Sequence, residues 1–429
     1  MPAAFLNLVC MKWGSVSLDS CRPRSAVICT MKPGVDSNSA TGSPATEIGK
    51  SGSRTRRGHG NISPSNPRLE QGRLSGLVLE LGPNGSWDGA MVGSPVVKRY
   101  IGDNEERWYM LYQGRCKEGA EDGNPIDSIG LAVSRNGIHW TRGADTIRSC
   151  SDAGMVMSCR DDWWAFDTRS IRPSELVVMS SPMYSSVYWL YYMGQSDEKI
   201  DLSGVVGIEQ GSREGLKCLP GLACSQDGRN WARIEGDHHS GAILDTGSEG
   251  EWDSLFIADP HVVIHEDGDL RMYYCSYDRA NGEYGIGLAR SRDGIRWVKL
   301  GKIMGGSGLG CFDEKGARSA CVVQSRRDGG YVMAYEGVDG NGRRAIGIAV
   351  SRDGLRGWER LQEGPVLVGS EEEGGWDNGG VGGPCLVEME GGWRLFYEGV
   401  SKEGRTGIGM AVSEGHSLGK FKRWTGLCL

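Results

Sequence analysis

From residue 76 onward, short runs of aromatic and aliphatic residues alternate with breaks rich in Gly and Asp, and no stretch keeps the 3.6-residue apolar period of an amphipathic helix. The runs come in sets. Each set opens on an aromatic-Asp pair, at Trp87-Asp88, Phe166-Asp167, Trp252-Asp253, Phe312-Asp313 and Trp376-Asp377. A first β-rich run follows, predicted to begin at Pro95, Pro173, Pro260 or Pro384, with Ala320 in the remaining set; proline at the first residue of a strand gives up no ladder bond. The second run is aromatic and aliphatic throughout and ends at Tyr112, Tyr192, Tyr274, Tyr335 or Tyr397, a composition that suits a pleated, half-buried surface.

The third run has the form Ile-Gly-Leu-Ala-x-Ser, fullest at Ile286 to Ser291, with copies at Ile129, Gly221, Ile346 and Ile408. It leads into Asn136-Gly137, Asp227-Gly228, Asp293-Gly294 or Asp353-Gly354, dipeptides that supply the positive φ a tight hairpin needs. A fourth run carries Trp140, Trp231, Trp297 or Trp358. Four short strands per set, repeated five times, predict an all-β chain: a five-bladed β-propeller of four-stranded antiparallel blades over residues 75–429. The ring should be closed by an N-terminal strand. Gly76-Leu77-Val78-Leu79 repeats the phrases Gly241 to Leu244 and Gly364 to Leu367 that follow complete fourth runs, so Leu77 to Leu81 is expected to pair with the last blade and leave no open sheet edge.

Composition adds to this picture at the N-terminus. Residues 1–70 read as a separate leader; its first 60 residues hold eight Lys or Arg against three acidic residues, with abundant Ser and Thr. That pattern matches a transit peptide and a chloroplast stromal address, with a disordered tail of a cytoplasmic protein as the alternative. The chain's net charge is −7, so residues 61–429 carry −12, which argues against nucleic acid as the main ligand. No apolar stretch reaches membrane-spanning length. The thirteen cysteines include no Cys-x-x-Cys pair, and Cys224, Cys275 and Cys321 fall inside predicted strands, which suits reduced structural thiols. Cys150 and Cys159 form the candidate redox pair. No cofactor is called for.

Residues that recur in every copy maintain the blade, so a single site has to be sought where the copies disagree. By that test Asp88, Asp167, Asp253, Asp313 and Asp377 are structural, most simply as acceptors for turn N–H groups. The position before the strand-opening residue reads Ser94, Arg172, Asp259, Ser319 and Gly383, with Arg318 beside the fourth, and should lie near the central channel. The position after the second-run tyrosine reads Gln113, Met193, Cys275, Glu336 and Glu398. Two readings stand for each candidate: Asp259 and Arg172 form an ion pair across the channel or a ligand site, and Glu336 and Glu398 share a structural contact or contribute chemistry. Trp163 and Trp164 form either a sugar-stacking platform at the channel mouth or a plug for their long loop. His261 and His265 share one strand face but lack an evident third metal ligand.

Ala258-Asp259-Pro260, Phe312 to Ala320 and Trp376 to Pro384 resemble phrases of the arabinanase, levansucrase and invertase superfamily of five-bladed glycoside hydrolases, a similarity covering about residues 75–429. The resemblance implies an Asp nucleophile or base, a second Asp that orients substrate, and a Glu acid around the channel, because one carboxylate must be ionised while another is protonated. On this resemblance Asp259 and Glu336 are the catalytic candidates, with Arg172, Arg318, Glu398, Trp163 and Trp164 binding substrate. One departure is plain: Ser94-Pro95 stands where many relatives keep Asp-Pro, leaving Asp88 as a substitute. Two functions follow, a glycoside-hydrolase-like protein acting on or binding a carbohydrate or other small polar ligand in the channel, and a non-catalytic propeller serving as a plastid scaffold.

Overall fold

A computed structural model of the chain describes residues 75–426 apart from 102–104, 118–125, 150–151, 182–183, 207–213 and 267, and apart from the side chains of 180–186. The leader expected over residues 1–70 and Cys150 of the candidate redox pair lie outside the described residues. Strand β1 (Leu77–Leu79) precedes the first blade, which is built from β2 (Met91–Ile101), β3 (Glu106–Arg115), β4 (Asp127–Ser134) and β5 (Gly154–Met157). The second contains β6 (Ser170–Ser181), β7 (Tyr184–Asp201), β8 (Glu214–Ser225) and β9 (Ala232–Ile234). The third contains β10 (Ala258–Glu266), β11 (Asp269–Asp278), β12 (Glu283–Ser291) and β13 (Val298–Met304), and the fourth β14 (Ala317–Gln324), β15 (Tyr331–Val338), β16 (Arg344–Ser351) and β17 (Glu359–Arg360). The fifth has β18 (Gly380–Met389), β19 (Gly392–Val400), β20 (Thr406–Ser413) and β21 (Phe421–Arg423). This is the five-bladed antiparallel propeller that the repeats predict.

Ring closure takes a composite form. β1 pairs with β20 through Leu77 opposite Gly409 and Leu79 opposite Ile408, while β21 pairs with the other end of β20 through Ala411 opposite Arg423. Two chain ends thus share the work that one segment does in the fourth blade, where Arg360 lies opposite Ala349 and Leu367 bridges to Ile346. Gly76 N–H donates to Trp424 O at 2.8 Å and Trp376 Nε1 donates to Ser75 O at 2.9 Å, which ties the two ends together.

Apolar side chains meet between blades rather than in a single central core. Val96, Leu111 and Leu131 of the first blade pack with Ile171, Leu176 and Leu190 of the second, and four comparable clusters fill the other junctions. Removing any one blade would therefore expose two apolar faces.

The recurring Asp residues do more than accept turn amides, a contact kept at Asp377 Oδ1, which accepts the Ser370 N–H at 3.3 Å. Each is fully or almost fully buried and accepts the hydroxyl of its blade's second-strand tyrosine, with Tyr112–Asp88 at 2.9, Tyr192–Asp167 at 3.0, Tyr274–Asp253 at 2.9, Tyr335–Asp313 at 3.1 and Tyr397–Asp377 at 3.1 Å. A cation from the end of the repeat completes each bracket: Arg142 at 3.4, Arg233 at 2.6, Lys299 at 2.8, Arg360 at 2.7 and Arg423 at 2.8 Å. A buried carboxylate needs a counter-charge more than it needs turn amides, which is why a cation is supplied in all five copies. The aromatic residue preceding the Asp stacks on the same tyrosine, as in Trp252–Tyr274 with centroids 5.7 Å apart. A Cβ on Gly287 of the third strand would lie 2.6 Å from both rings, so the glycine that recurs there, as Gly130, Gly221, Gly287, Gly347 and Gly409, makes room for this stack.

Two boundaries differ from expectation. The first strands begin two to four residues before Pro95, Pro173, Pro260, Ala320 and Pro384, each of which falls at an irregularity of register inside the strand. A bulge leaves an N–H unpaired, so proline is tolerated there as well as at a strand start. Trp231, Trp297 and Trp358 sit just before their outer strands rather than within them, and after Trp140 a loop intervenes before β5.

Candidate functional site

The first-strand bulges build the site. Ser94, Asp259, Ser319 and Gly383 have φ of 48, 50, 49 and 50°, the left-handed region that costs a residue with a Cβ about 1–2 kcal/mol. With Arg172 of the second blade, all five line one cavity of about 360 Å³ where the first strands converge. The cavity also brings together Arg318, Glu336 and Glu398. Trp163 and Trp164 do not line it; they lie in the turn before β6, 89% and 37% exposed, with Arg160 over the Trp164 ring. Asp88 is fully buried in its Tyr112 bracket, away from the cavity, so it cannot stand in for the carboxylate missing at Ser94.

Three carboxylates face three guanidiniums. Asp259 Oδ1 lies 2.9 Å from Arg172 Nη2, and its Oδ2 accepts the Ser319 hydroxyl at 2.6 Å. Glu336 Oε1 receives Arg318 Nε at 2.7 and Nη2 at 2.6 Å. Arg344 Nη1 stands between Glu336 at 3.9 Å and Glu398 at 3.6 Å. Consecutive residues Arg318 and Ser319 thus join the Glu336 and Asp259 carboxylates.

Glu336 and Glu398 do share one structural contact. Glu336 Oε2 accepts the N–H of Gly383 at 3.1 Å, and Glu398 Oε2 accepts that of Ser94 at 3.3 Å, each reaching the bulge of the next blade. A Cβ on Gly382 would come within 2.0 Å of Glu336 Oε2, and one on Gly93 within 2.4 Å of Glu398 Oε2. Where the fifth and first blades have these glycines, the fourth has Arg318.

Burial alone would raise the Glu336 carboxyl, but the Arg318 and Arg344 charges and the hydrogen bonds from Arg318 and Gly383 outweigh it and hold the group below the usual range. Burial likewise disfavours charge on Arg318, and the Glu336 charge reverses the balance, raising its guanidinium. Glu336 is consequently an ionised clip. A general acid requires the opposite shift, so the acid role implied by the resemblance does not fit Glu336 in this arrangement.

Sequence comparison of the copies missed Arg344 because it stopped at two variable positions. A third exists two residues before the third-strand Ile or its equivalent: Asp127, Cys218, Tyr284, Arg344 and Thr406, lying opposite Arg115, Gln195, Tyr277, Val338 and Val400. Cys218, Tyr284 and Arg344 all line the cavity, and Arg318 sits over the Tyr284 ring at 4.9 Å. The cavity also contains Glu175 and His261. Glu175 contacts Lys98 through Oε1 and His261 Nδ1 through Oε2 at 2.9 Å, while His261 Nε2 meets Val322 O at 2.9 Å. Burial opposes the Glu175 charge, yet Lys98 and His261 bring its carboxyl down to about 2.

His265 is engaged elsewhere, with Tyr331, and no group of three or more His, Cys, Asp or Glu placed to hold a metal ion occurs among the described residues. Cys159 is half-buried and its thiol is pushed up to about 12, chiefly by burial. A larger open groove of about 1210 Å³ lies where Arg327, Asp353 and His416 meet, away from the convergent first strands.

Among proteins of known structure, a glycoside hydrolase superposes with TM-score 0.55 at 18% identity, covering 84% of this chain and 99% of that one. A glycosyl hydrolase from Bacteroides ovatus gives 0.52 at 16%, covering 79% and 92%. The five-bladed fold is shared with glycoside hydrolases. A third structure, from the GH130 family of mannoside phosphorylases that contains glycoside hydrolases targeting β-1,2 mannosidic linkages in Candida mannan, gives 0.52 at 16%, covering 81% and 94%. In sequence, uncharacterised proteins from two Mycobacterium tuberculosis strains are 33% and 31% identical over 158 and 159 residues, about 35% of this chain. The chain spans about half the length of these curated relatives, and no protein-family profile matches it.

Proposed function

We propose that the protein binds a glycosyl unit in the channel and is a divergent relative of the arabinanase, levansucrase and invertase superfamily, with Asp259 as the carboxylate that meets the ligand. One observation carries this reading: the positions at which the five copies differ converge on a single cavity and supply it with Asp259, Arg172, Arg318, Arg344 and Glu398. A ring of carboxylates and guanidiniums offers both acceptors and donors to a ligand rich in hydroxyls. Arg344 has five N–H donors and only long ion pairs, which suits it to such a ligand.

Hydrolysis at this site would use Asp259 as base or nucleophile and would need a separate proton donor. The Arg318 and Arg344 charges set Glu336 against that role, and Glu398 is the other glutamate at the equivalent position of the repeat. The second reading, a propeller that binds without turnover, is favoured by the guanidinium facing each carboxylate. Calorimetry and product analysis with a panel of methyl and p-nitrophenyl glycosides and short oligosaccharides, β-1,2 mannosides included, test both readings beside Asp259→Asn. Binding that Asp259→Asn weakens at least tenfold supports the site, and turnover abolished in that variant selects the enzyme. Sugar binding or turnover indifferent to Asp259→Asn sinks the assignment.

A further inference from the structure

The second blade breaks the symmetry of the ring. β7 runs for 18 residues and β8 for 12, against 8–10 for the second strands and 8–9 for the third strands of the other blades. The extra length leans on the third blade: Tyr277 donates its hydroxyl to Gly204 O and Tyr284 donates to Val206 O, both at 3.0 Å, and Arg279 reaches Asp201. This places half-buried Ile200, Leu202, Val205 and Leu216 along one wall of the channel cavity, joined there by Phe256. Ile200, Leu202, Val205 and Phe256 pack against an apolar cluster distinct from the five that hold the blades together, and Leu216 lines the cavity with them.

The cavity therefore has two chemical halves. Arg318, Arg344, Glu336 and Glu398 make one, and the aliphatic wall with Phe256 makes the other. Tyr284 stands at the seam, its ring under the Arg318 guanidinium and its hydroxyl on Val206 O. A ligand composed only of hydroxyl-bearing rings would leave the second wall without a matching surface, and water against five apolar side chains is unfavourable. An apolar group of modest size fits there, since about 360 Å³ lies at the small end of ligand sites.

We propose that the ligand is a glycoside with an apolar aglycone, alkyl or aryl, whose sugar faces the arginines and carboxylates while the aglycone lies on Ile200, Leu202, Val205, Leu216 and Phe256. The proposal rests on the channel being a carbohydrate site. Its chemistry also explains why the symmetry-breaking extension belongs to one blade only: one ligand needs one apolar wall.

The test measures affinities of the full-length protein for matched methyl, p-nitrophenyl and octyl glycosides of mannose, glucose, galactose and arabinose. For the sugar that binds, the p-nitrophenyl or octyl form should bind at least tenfold more tightly than the methyl form; which of the two gains more separates an aryl from an alkyl aglycone. Leu202→Ser and Leu216→Ser, each made separately because either alone could disturb the hairpin, should reduce that ratio to about threefold or less. Asp259→Asn should weaken both forms and keep the ratio. A methyl glycoside that binds as tightly as its apolar counterparts overturns the apolar wall and leaves the carbohydrate reading standing. A ratio that survives both serine variants also overturns it. Octanol or nitrophenol binding as tightly as the glycosides leaves an apolar wall but overturns both the glycoside and the carbohydrate reading, and no sugar binding at all overturns them too.

Discussion

Arg360→Met probes the buried bracket that recurs in every blade. Asp313 is fully buried; its Oδ2 accepts Arg360 Nε at 2.7 Å and the Tyr335 hydroxyl at 3.1 Å, and its Oδ1 accepts the Ser307 hydroxyl. Methionine keeps much of the arginine stem's volume but removes the charge, so the carboxylate is left buried with two neutral donors. It also loses the second anchor, Arg360 Nη2 to Gly305 O at 2.5 Å. Breaking a buried pair by removing one partner costs about 3–5 kcal/mol. At about 2 °C per kcal/mol, the figure for large domains, the melting temperature should fall by roughly 6–10 °C in a calorimetric scan. Adding Asp313→Asn removes the uncompensated charge and should recover at least half of the loss, because the amide oxygen still accepts from Tyr335. Arg142→Met should cost less than Arg360→Met, since Arg142 stands 3.4 Å from Asp88 and its bracket is looser. An Arg360→Met protein within about 1 kcal/mol of the parent, or a double variant no more stable than Arg360→Met alone, would refute the view that the cation neutralises the bracket.

Other outcomes follow from the same geometry. Deleting residues 76–81 removes the Leu77 and Leu79 pairing with β20, and should lower the melting temperature of the whole ring in a single transition rather than release the fifth blade alone. Glu175 has a folded value of about 2, below its ordinary 4.5, so its contribution is complete above pH 4.5 and is lost as the pH falls towards 2; urea titrations at stepped pH should show on the order of 3 kcal/mol of acid-limb loss, much reduced in Glu175→Gln. Gly382→Ala drives a methyl group into Glu336 Oε2 and should cost about 1–3 kcal/mol, while Gly364→Ala, whose Cβ meets nothing within 4 Å, should be nearly silent by thermal melting. Glu336→Gln leaves Arg318 short of its counter-charge and should destabilise the protein by about 2–4 kcal/mol; an unchanged melting temperature would remove the clip from this account.

The copy-by-copy reading worked unevenly along the blade. It placed Ser94, Arg172, Asp259, Arg318, Ser319 and Gly383 in the channel correctly, because symmetry carries equivalent positions to equivalent places around the ring axis. It assigned the recurring Asp residues to turn amides because their partners, Arg142, Arg233, Lys299, Arg360 and Arg423, lie 46 to 66 residues away in sequence. It also treated Glu336 as a possible acid, although its charge state depends on Arg318 and Arg344, which the register of β14, β15 and β16 brings to it.

The sequence by itself determined the blade, the number of blades and the latch. These depend on local periodicity, on turn dipeptides and on repetition, all of which are written linearly. Only the tertiary structure decided the chemistry of the channel. Left-handed bulges aim the side chains of Ser94, Asp259 and Ser319 from separate blades at one point, a fourth bulge at Gly383 brings its backbone there, and the extension of β7 and β8 puts an apolar wall beside them. Glu336 is held by Arg318 and Arg344 on the neighbouring strands of its own blade, while Asp259 and Glu398 meet arginines from adjacent blades, and those distances exist only once the strands have paired and the ring has closed.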